Sequence, residues 1–303
     1  MIQVSAKLPP RVVVRGGHYY QPRPTYFEDE TAQQRLFDET LGKESLRRLD
    51  PLCQGALYAV EMARRECGFG AGEKTQLAAY GVCVATAFGA QSTRVRYAKR
   101  LAQLGASATN PIDFPDSIDG AVASHIAMRF GLRGPSLTFV QGPSSAEAAL
   151  IASCRLIASG RAERIYLVIG DIYDPWLRRS VADSLRVTQG SHAVPEDAVL
   201  ALALEAHATS ACDEGQVFVT GFTGHERHRA TVEADGLVRA VTPPSQASAD
   251  FSGVMQIAGA WLEVCAPMGN PEGSCQDGPM NAVHDNTGYE SQLLLAFRRK
   301  VTH

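Results

Sequence analysis

The residues of this chain best placed to do chemistry lie at one turn. The stretch GPSLTFVQGPSSAEAALIASCRLIASG, Gly134 to Gly160, reads as a short strand, a tight turn and an amphipathic helix. A nucleophile at such a turn meets the first N–H groups of the helix, which stabilise negative charge. The turn carries Gln141, Gly142 and Pro143, with Ser144 and Ser145 just after. A serine nucleophile here needs a base within hydrogen-bond reach, and His225 or His284 would have to fold back to supply it. The more economical reading of both serines is capping, which satisfies orphan N–H groups of the first turn.

Other reactive residue types are scattered. Seven cysteines stand at 53, 67, 83, 154, 212, 265 and 275, and the closest two are ten residues apart. That spacing holds no CxxC unit and no zinc pattern. Cys53, Cys67 and Cys154 fall in helical apolar patterns and Cys83 in a strand, where a thiol acts as a small buried hydrophobe. His225 and His228, in the charged stretch TGHERHRA, read as a solvated turn, and the sequence points to no third or fourth metal ligand beside them. Neither a metal nor a cofactor is expected.

These residues need a scaffold. A chain of 303 residues, 45% hydrophobic and 20% charged, is globular and long enough for a large core or two fused ones. The formal charge of −3 gives no electrostatic reason to expect nucleic acid or an anionic membrane surface as a partner. No apolar run reaches the roughly 18 residues of a membrane span, and MIQVSAKLPPRVVVRGG lacks the apolar core of a signal peptide. A soluble, cytoplasmic protein is the expectation.

The periodicity predicts an amphipathic helix in ESLRRLDPLCQGALYAVEMARRECGFG, ending at Gly68, and a buried strand in QLAAYGVCVATAFG. Helices follow around STRVRYAKRLAQLG and in DGAVASHIAMRFGLRG, the latter with a glycine stop at Gly131. SLTFV is a strand, SAEAALIASCRLIASG a helix and RIYLVIGD another strand, the crossover unit of a parallel or mixed sheet. The polar segment YDPWLRRSVADSLRVTQGSHAVPED reads as an insertion. DAVLALALEAH and QVFVTGFTG read as successive strands of a hairpin, FSGVMQIAGAWLEVC as a helix, PMGNPEGSCQDGPMNAVHDNTG as an irregular loop, and SQLLLAFRR as a closing strand.

Three of these segments also carry a family resemblance. RRLDPLCQGALYAVEMARRECGF, NPIDFPDSIDGAVASHIAMRFGLRGPSLTF and SAEAALIASCRLIASGRAERIYLVIGD resemble, in order and spacing, three blocks of the β-ketoacyl synthases. The resemblance implies an α/β protein of the thiolase-like fold, with two βαβ-containing halves. Here they are expected at residues 1–194, with the insertion at about 174–194, and at 195–303 as a reduced C-terminal half. In the family a nucleophilic cysteine begins the helix after GPS and its strand. Counted without gaps, that position falls on Pro143, which has no nucleophilic atom and no N–H. Shifting the register offers Gln141 or Ser144, and no cysteine.

The family's other active-site features also depart. The segment that would bring the first catalytic histidine is absent between AVTPPS and FSGVMQIAGAWLEV. The GH-type position reads Ser252, Gly253 and Val254, and the glycine-rich closing loop keeps only Gly288, followed by Tyr289 and Glu290. The joint loss implies a scaffold kept without condensation chemistry. Such a protein resembles the chain-length factor, the inactive half of a type II ketosynthase heterodimer, in a shortened form like those of highly reducing, polyene-forming systems. The resemblance implies an active ketosynthase subunit as partner, with acyl carrier protein reached through the complex. It also implies that the strand SLTFV pairs across a pseudo-two-fold axis. Phe114, Ile118, Val122, His125, Thr138 and Phe139 are the candidate tunnel-gate and interface residues. Two alternatives stay open: a divergent thiolase-fold acyltransferase using Ser144, and a non-catalytic homodimer that binds acyl carrier protein through Arg94, Arg96, Lys99 and Arg100.

Overall fold

The computed structural model describes residues 12–20, 49–69, 78–109, 113–142, 145–189, 194–206, 217–219, 282–284 and 290–292. The strands are β1 (Val12–Tyr20), β2 (Tyr80–Thr86), β3 (Ser136–Val140), β4 (Arg164–Asp171), β5 (Ala198–Ala206) and β6 (Val217–Val219). Between them run α1 (Pro51–Glu66), α2 (Gln91–Leu104), the short α3 (Asp113–Asp116), α4 (Ala121–Phe130), α5 (Ser145–Ala158) and α6 (Pro175–Gln189). A separate hairpin pairs β7 (Ala282–His284) with β8 (Glu290–Gln292).

The six strands form one mixed sheet in the order β3-β2-β4-β5-β1-β6. β2 runs parallel to β3 and β4, while β5 is antiparallel to both β4 and β1. β4 is buried along its whole length, which explains why RIYLVIGD reads as a continuous apolar run rather than an alternating one. Its side chains divide by the period of two. Ile165, Leu167 and Ile169 join Cys83, Ala85 and the α5 residues Ala149, Leu150, Cys154 and Ile157. Tyr166 and Val168 join Val82, Val84 and the inner faces of α1 and α4. The result is a three-layer α/β unit, with α5 on one face of the sheet and α1 and α4 on the other.

Local chemistry sets the ends of these elements. Asp50 caps α1 by accepting the Leu52 N–H at 3.0 Å, and Pro51 follows where a missing N–H costs nothing. The other Asp50 oxygen accepts the Thr93 N–H at 2.8 Å and so ties α1 to the start of α2. Gly131, at φ 69°, ends α4 in the left-handed conformation anticipated for its glycine stop.

Within the segment read as an insertion lies α6, fifteen residues long, started by Asp174, whose carboxylate accepts the Trp176 N–H at 2.9 Å. Arg178 of α6 is paired with Asp197, which also accepts the Tyr173 N–H at 2.8 Å, so the helix is tied to the strand that follows. β4 and β5, on either side of the expected 194/195 boundary, pair from Arg164–Glu205 to Asp171–Ala198. β5 and β6 do not form a hairpin, because β1 lies between them and pairs with both. β1 itself was not read from VVVRGGHYY. The loop expected over PMGNPEGSCQDGPMNAVHDNTG contains β7, and of SQLLLAFRR only Ser291 and Gln292 are described, as part of β8. The helix expected in FSGVMQIAGAWLEVC lies outside the described residues.

Candidate functional site

The carboxyl ends of β2, β3 and β4 lie side by side, and the turn after each strand meets there. Asp171, the last residue of β4, is buried and organises this end of the sheet. One oxygen accepts the Thr86 hydroxyl and the Phe88 N–H at 3.1 Å, and the other accepts the Ala87 N–H at 2.9 Å. The Thr86 hydroxyl oxygen in turn accepts the Gly89 N–H at 2.9 Å. Three successive N–H groups at the end of β2 are thus consumed internally. Gly170 allows the approach that places Asp171. Its φ is 156°, and a Cβ there would stand 2.1 Å from the Ala198 carbonyl oxygen.

The turn after β3 is closed in a similar way. Ser145, fully buried, donates its hydroxyl to the Thr86 carbonyl at 2.9 Å and accepts the Gln141 N–H at 2.7 Å. Both functions of that hydroxyl are taken, so Ser145 is a tie between the β2 and β3 turns and not a poised nucleophile. This refines the capping expectation, since the N–H it accepts precedes the helix. The Gln141 side chain is exposed. Pro143 and Ser144 lie outside the described residues, as do His225, His228, Ser252, Gly253, Val254, Gly288 and Tyr289. His284 sits in β7, with Glu290 opposite in β8.

The cysteines of the described residues behave as core. Cys53, Cys83 and Cys154 are buried, while Cys67 is half-buried. Burial pushes the Cys83 thiol up to about 11 and the Cys154 thiol to about 12, and raises those of Cys53 and Cys67 as well. A thiol so shifted is not a thiolate at neutral pH, and none of the four is activated. Cys212, Cys265 and Cys275 lie outside the described residues. No cluster of three potential metal ligands occurs among the described residues, and none of their helices is long and apolar enough to cross a membrane.

The candidate gate residues separate by environment. Phe114 on α3 is 57% exposed and Ile118, just after it, 52%. His125 on α4 is half-buried, with Nε2 2.8 Å from an Asp116 carboxylate oxygen. Val122 is fully buried in the core cluster that also holds Leu52, Val60, Val84 and Phe130. Thr138 and Phe139 are half-buried on β3, and Phe139 packs against the α5-side core. β3 stands at one edge of the sheet among the described strands, and its residues Leu137 and Val140 are 39% and 37% exposed.

Sequence reasoning missed Asp171 and Thr86. A signal was present: a single carboxylate ending the most apolar strand of the chain must find several hydrogen-bond donors once buried.

The family model of the β-ketoacyl synthase N-terminal domain matches residues 6–169, more than half of the chain. No curated protein matches the sequence. Among solved structures, the ishigamide ketosynthase/chain length factor aligns with a TM-score of 0.54 at 15% identity, over 69% of this chain and 65% of that one. A β-ketoacyl synthase from Burkholderia phymatum STM815 aligns at 0.53 and 13% identity, over 72% and 65%. A type II polyketide synthase acyl-carrier protein in complex with its ketosynthase bound to the hexaketide aligns at 0.55 and 20% identity, over 71% and 69%. The chain therefore spans somewhat under two thirds of the length of the first two. At these identities the likeness is one of fold.

Proposed function

The chain belongs to the β-ketoacyl synthase family, and from that premise we propose that it is a non-catalytic, chain-length-factor-like subunit that pairs with an active ketosynthase. The observation that carries this reading is β3. Among the described strands it stands at an edge, its outer backbone groups facing no other strand, and it exposes Leu137 and Val140. A bare apolar edge is an aggregation hazard unless another strand covers it. Antiparallel pairing with the equivalent strand of a ketosynthase would satisfy those groups and join two sheets into one.

The loss of chemistry rests on Pro143 at the nucleophile position, together with the donors at the neighbouring turns. The N–H groups of Ala87, Phe88, Gly89 and Gln141 already bind Asp171, Thr86 and Ser145, so they do not await an oxyanion. The partner then supplies the cysteine. Phe114 and Ile118 are the residues of this chain that best fit the wall of the acyl tunnel; His125, Thr138 and Phe139 fit the interface around it. The condensation served is a type II, highly reducing one that makes polyene-like chains, with acyl groups delivered by an acyl carrier protein to the pair.

Co-expression with the ketosynthase encoded beside it tests this. The expected outcome is a co-purifying heterodimer on sizing, with acyl-chain condensation in the pair and none in either chain alone. A stable, monodisperse monomer that ignores the ketosynthase, or an acyl adduct on this chain detected by intact mass, overturns the reading.

A further inference from the structure

The segment from Asp113 to Asp119, α3 and the turn after it, is inside out for a surface element. Its acids face the protein, with the Asp113 and Asp116 side chains only 14% and 21% exposed. Its apolar residues Phe114 and Ile118 are more than half exposed, and no residue of α3 is buried. A surface helix is ordinarily held by the apolar residues it buries, so half-buried acids beside exposed apolar side chains are the informative feature. The Phe114 ring leans on Tyr97 with centroids 5.9 Å apart, but burial does not hold the segment.

Charge holds it instead. Asp113 meets Arg96 at 3.4 Å and Arg100 at 3.7 Å, both from α2. Asp116 stands 2.8 Å from His125 Nε2 of α4, and Asp119 pairs with Arg94. Arg94 is the hub of this arrangement. Besides Asp119, its Nε donates to the Ser117 carbonyl and its Nη1 to the Phe88 carbonyl, each at 3.3 Å. Phe88 belongs to the turn after β2, where its own N–H is held by Asp171. One guanidinium therefore fixes the segment against the carboxyl ends of β2 and β4. The planar fork suits this task, because its directed N–H groups reach three acceptors at once, whereas an ammonium is a point charge on a flexible stem.

Ion pairs at such half-exposed positions are individually weak, so none of them decides whether the chain folds. Together they restrict where α3 can stand. Phe114 and Ile118 gain little burial from that placement. We propose that Arg94 is a positioning residue that, with Asp113, Asp116 and Asp119, sets how far Phe114 and Ile118 reach into the acyl tunnel and hence the length at which chain growth stops. This rests on the reading of the chain as the subunit whose Phe114 and Ile118 wall that tunnel.

The test uses the intact heterodimer supplied with holo carrier protein, and reads the lengths of the carrier-bound acyl chains by mass spectrometry. Arg94→Gln removes the charge and the fork. It is expected to raise the fraction of chains longer than the main wild-type product about three- to fivefold, with sizing and Tm of the pair unchanged. Arg94→Lys, which keeps the charge without the fork, should give a smaller shift, and Asp113→Asn with Asp116→Asn a shift in the same direction as Arg94→Gln. A merely structural role would lower Tm and leave the ratio of chain lengths alone. Phe114→Ala and Ile118→Ala run beside them as controls. A length shift in the controls with none in Arg94→Gln or the aspartate double variant overturns the inference. No shift in any variant defeats the tunnel-wall reading and the inference with it, and a wild-type pair that never forms defeats the heterodimer reading, so the failures are told apart.

Discussion

Asp171 has a clear physical role at the carboxyl end of the sheet. A buried carboxylate survives only where donors surround it, and here the Thr86 hydroxyl and the Ala87 and Phe88 N–H groups do so. Asp171→Asn replaces one acceptor oxygen with an NH2 group that faces donors, so it should cost about 2–4 kcal/mol of stability. Denaturant melts of the isolated chain should show a lower midpoint with an unchanged slope; an unaltered midpoint would mean that the loop does not depend on this carboxylate. Ser145 was open to reading as a nucleophile from its place after a turn. Only the neighbours of its hydroxyl, the Thr86 carbonyl and the Gln141 N–H, show it to be a tie between loops.

Among the described elements, β3 and α2 are two that the chain leaves incompletely covered. β3 carries SLTFV, apolar enough to be central, yet it stands at the edge. Lysines at Leu137 and Val140 place charge on that edge, a common natural block to strand pairing. The double substitution is expected to abolish co-purification with the ketosynthase. Since both residues are exposed, the isolated chain should change in stability by no more than about 0.5 kcal/mol per site. Loss of the pair together with an unfolded chain would point to a core role for β3 instead. The cations of α2 were legible from sequence as a basic run, whose ordinary meaning is a solvated face. That three of its arginines bind acids in and just after α3, with one carboxylate shared between two of them, depended on where α3 packs.

For the molecule as a whole, the buried thiols and Tyr20 set an alkaline limit on stability. Burial raises Cys83 from an ordinary value near 9 to about 11, Cys154 to about 12 and Tyr20 from 10 to about 12, and it raises Cys53 too. A group whose folded pKa lies above its unfolded one contributes stability that is full below the unfolded value and lost as pH climbs through the folded one. Thermal stability should therefore hold to about pH 8.5 and fall between about pH 9 and 12. Each such thiol accounts for about 1.4 kcal/mol per pH unit across its own window. Melts from pH 7 to 11 check this, and a flat profile would mean that these thiols are not buried. By itself the sequence determined the order and kind of the longer regular elements from Pro51 to Asp171, though not the short α3 or the 3-10 turn at Ala106–Ala108; the apolar periods and glycine stops of the longer ones are local properties of the chain. A register counted without gaps from Gly134 also puts Pro143 where the resemblance expects the family's cysteine, an expectation that rests on sequence alone. Tertiary structure alone decided that β1 separates β5 from β6, that Val122 belongs to the core while Phe114 and Ile118 face out, and that Asp171 binds the β2 turn. Those outcomes rest on pairings between residues far apart in the chain, and a side chain's type does not say which distant backbone will meet it.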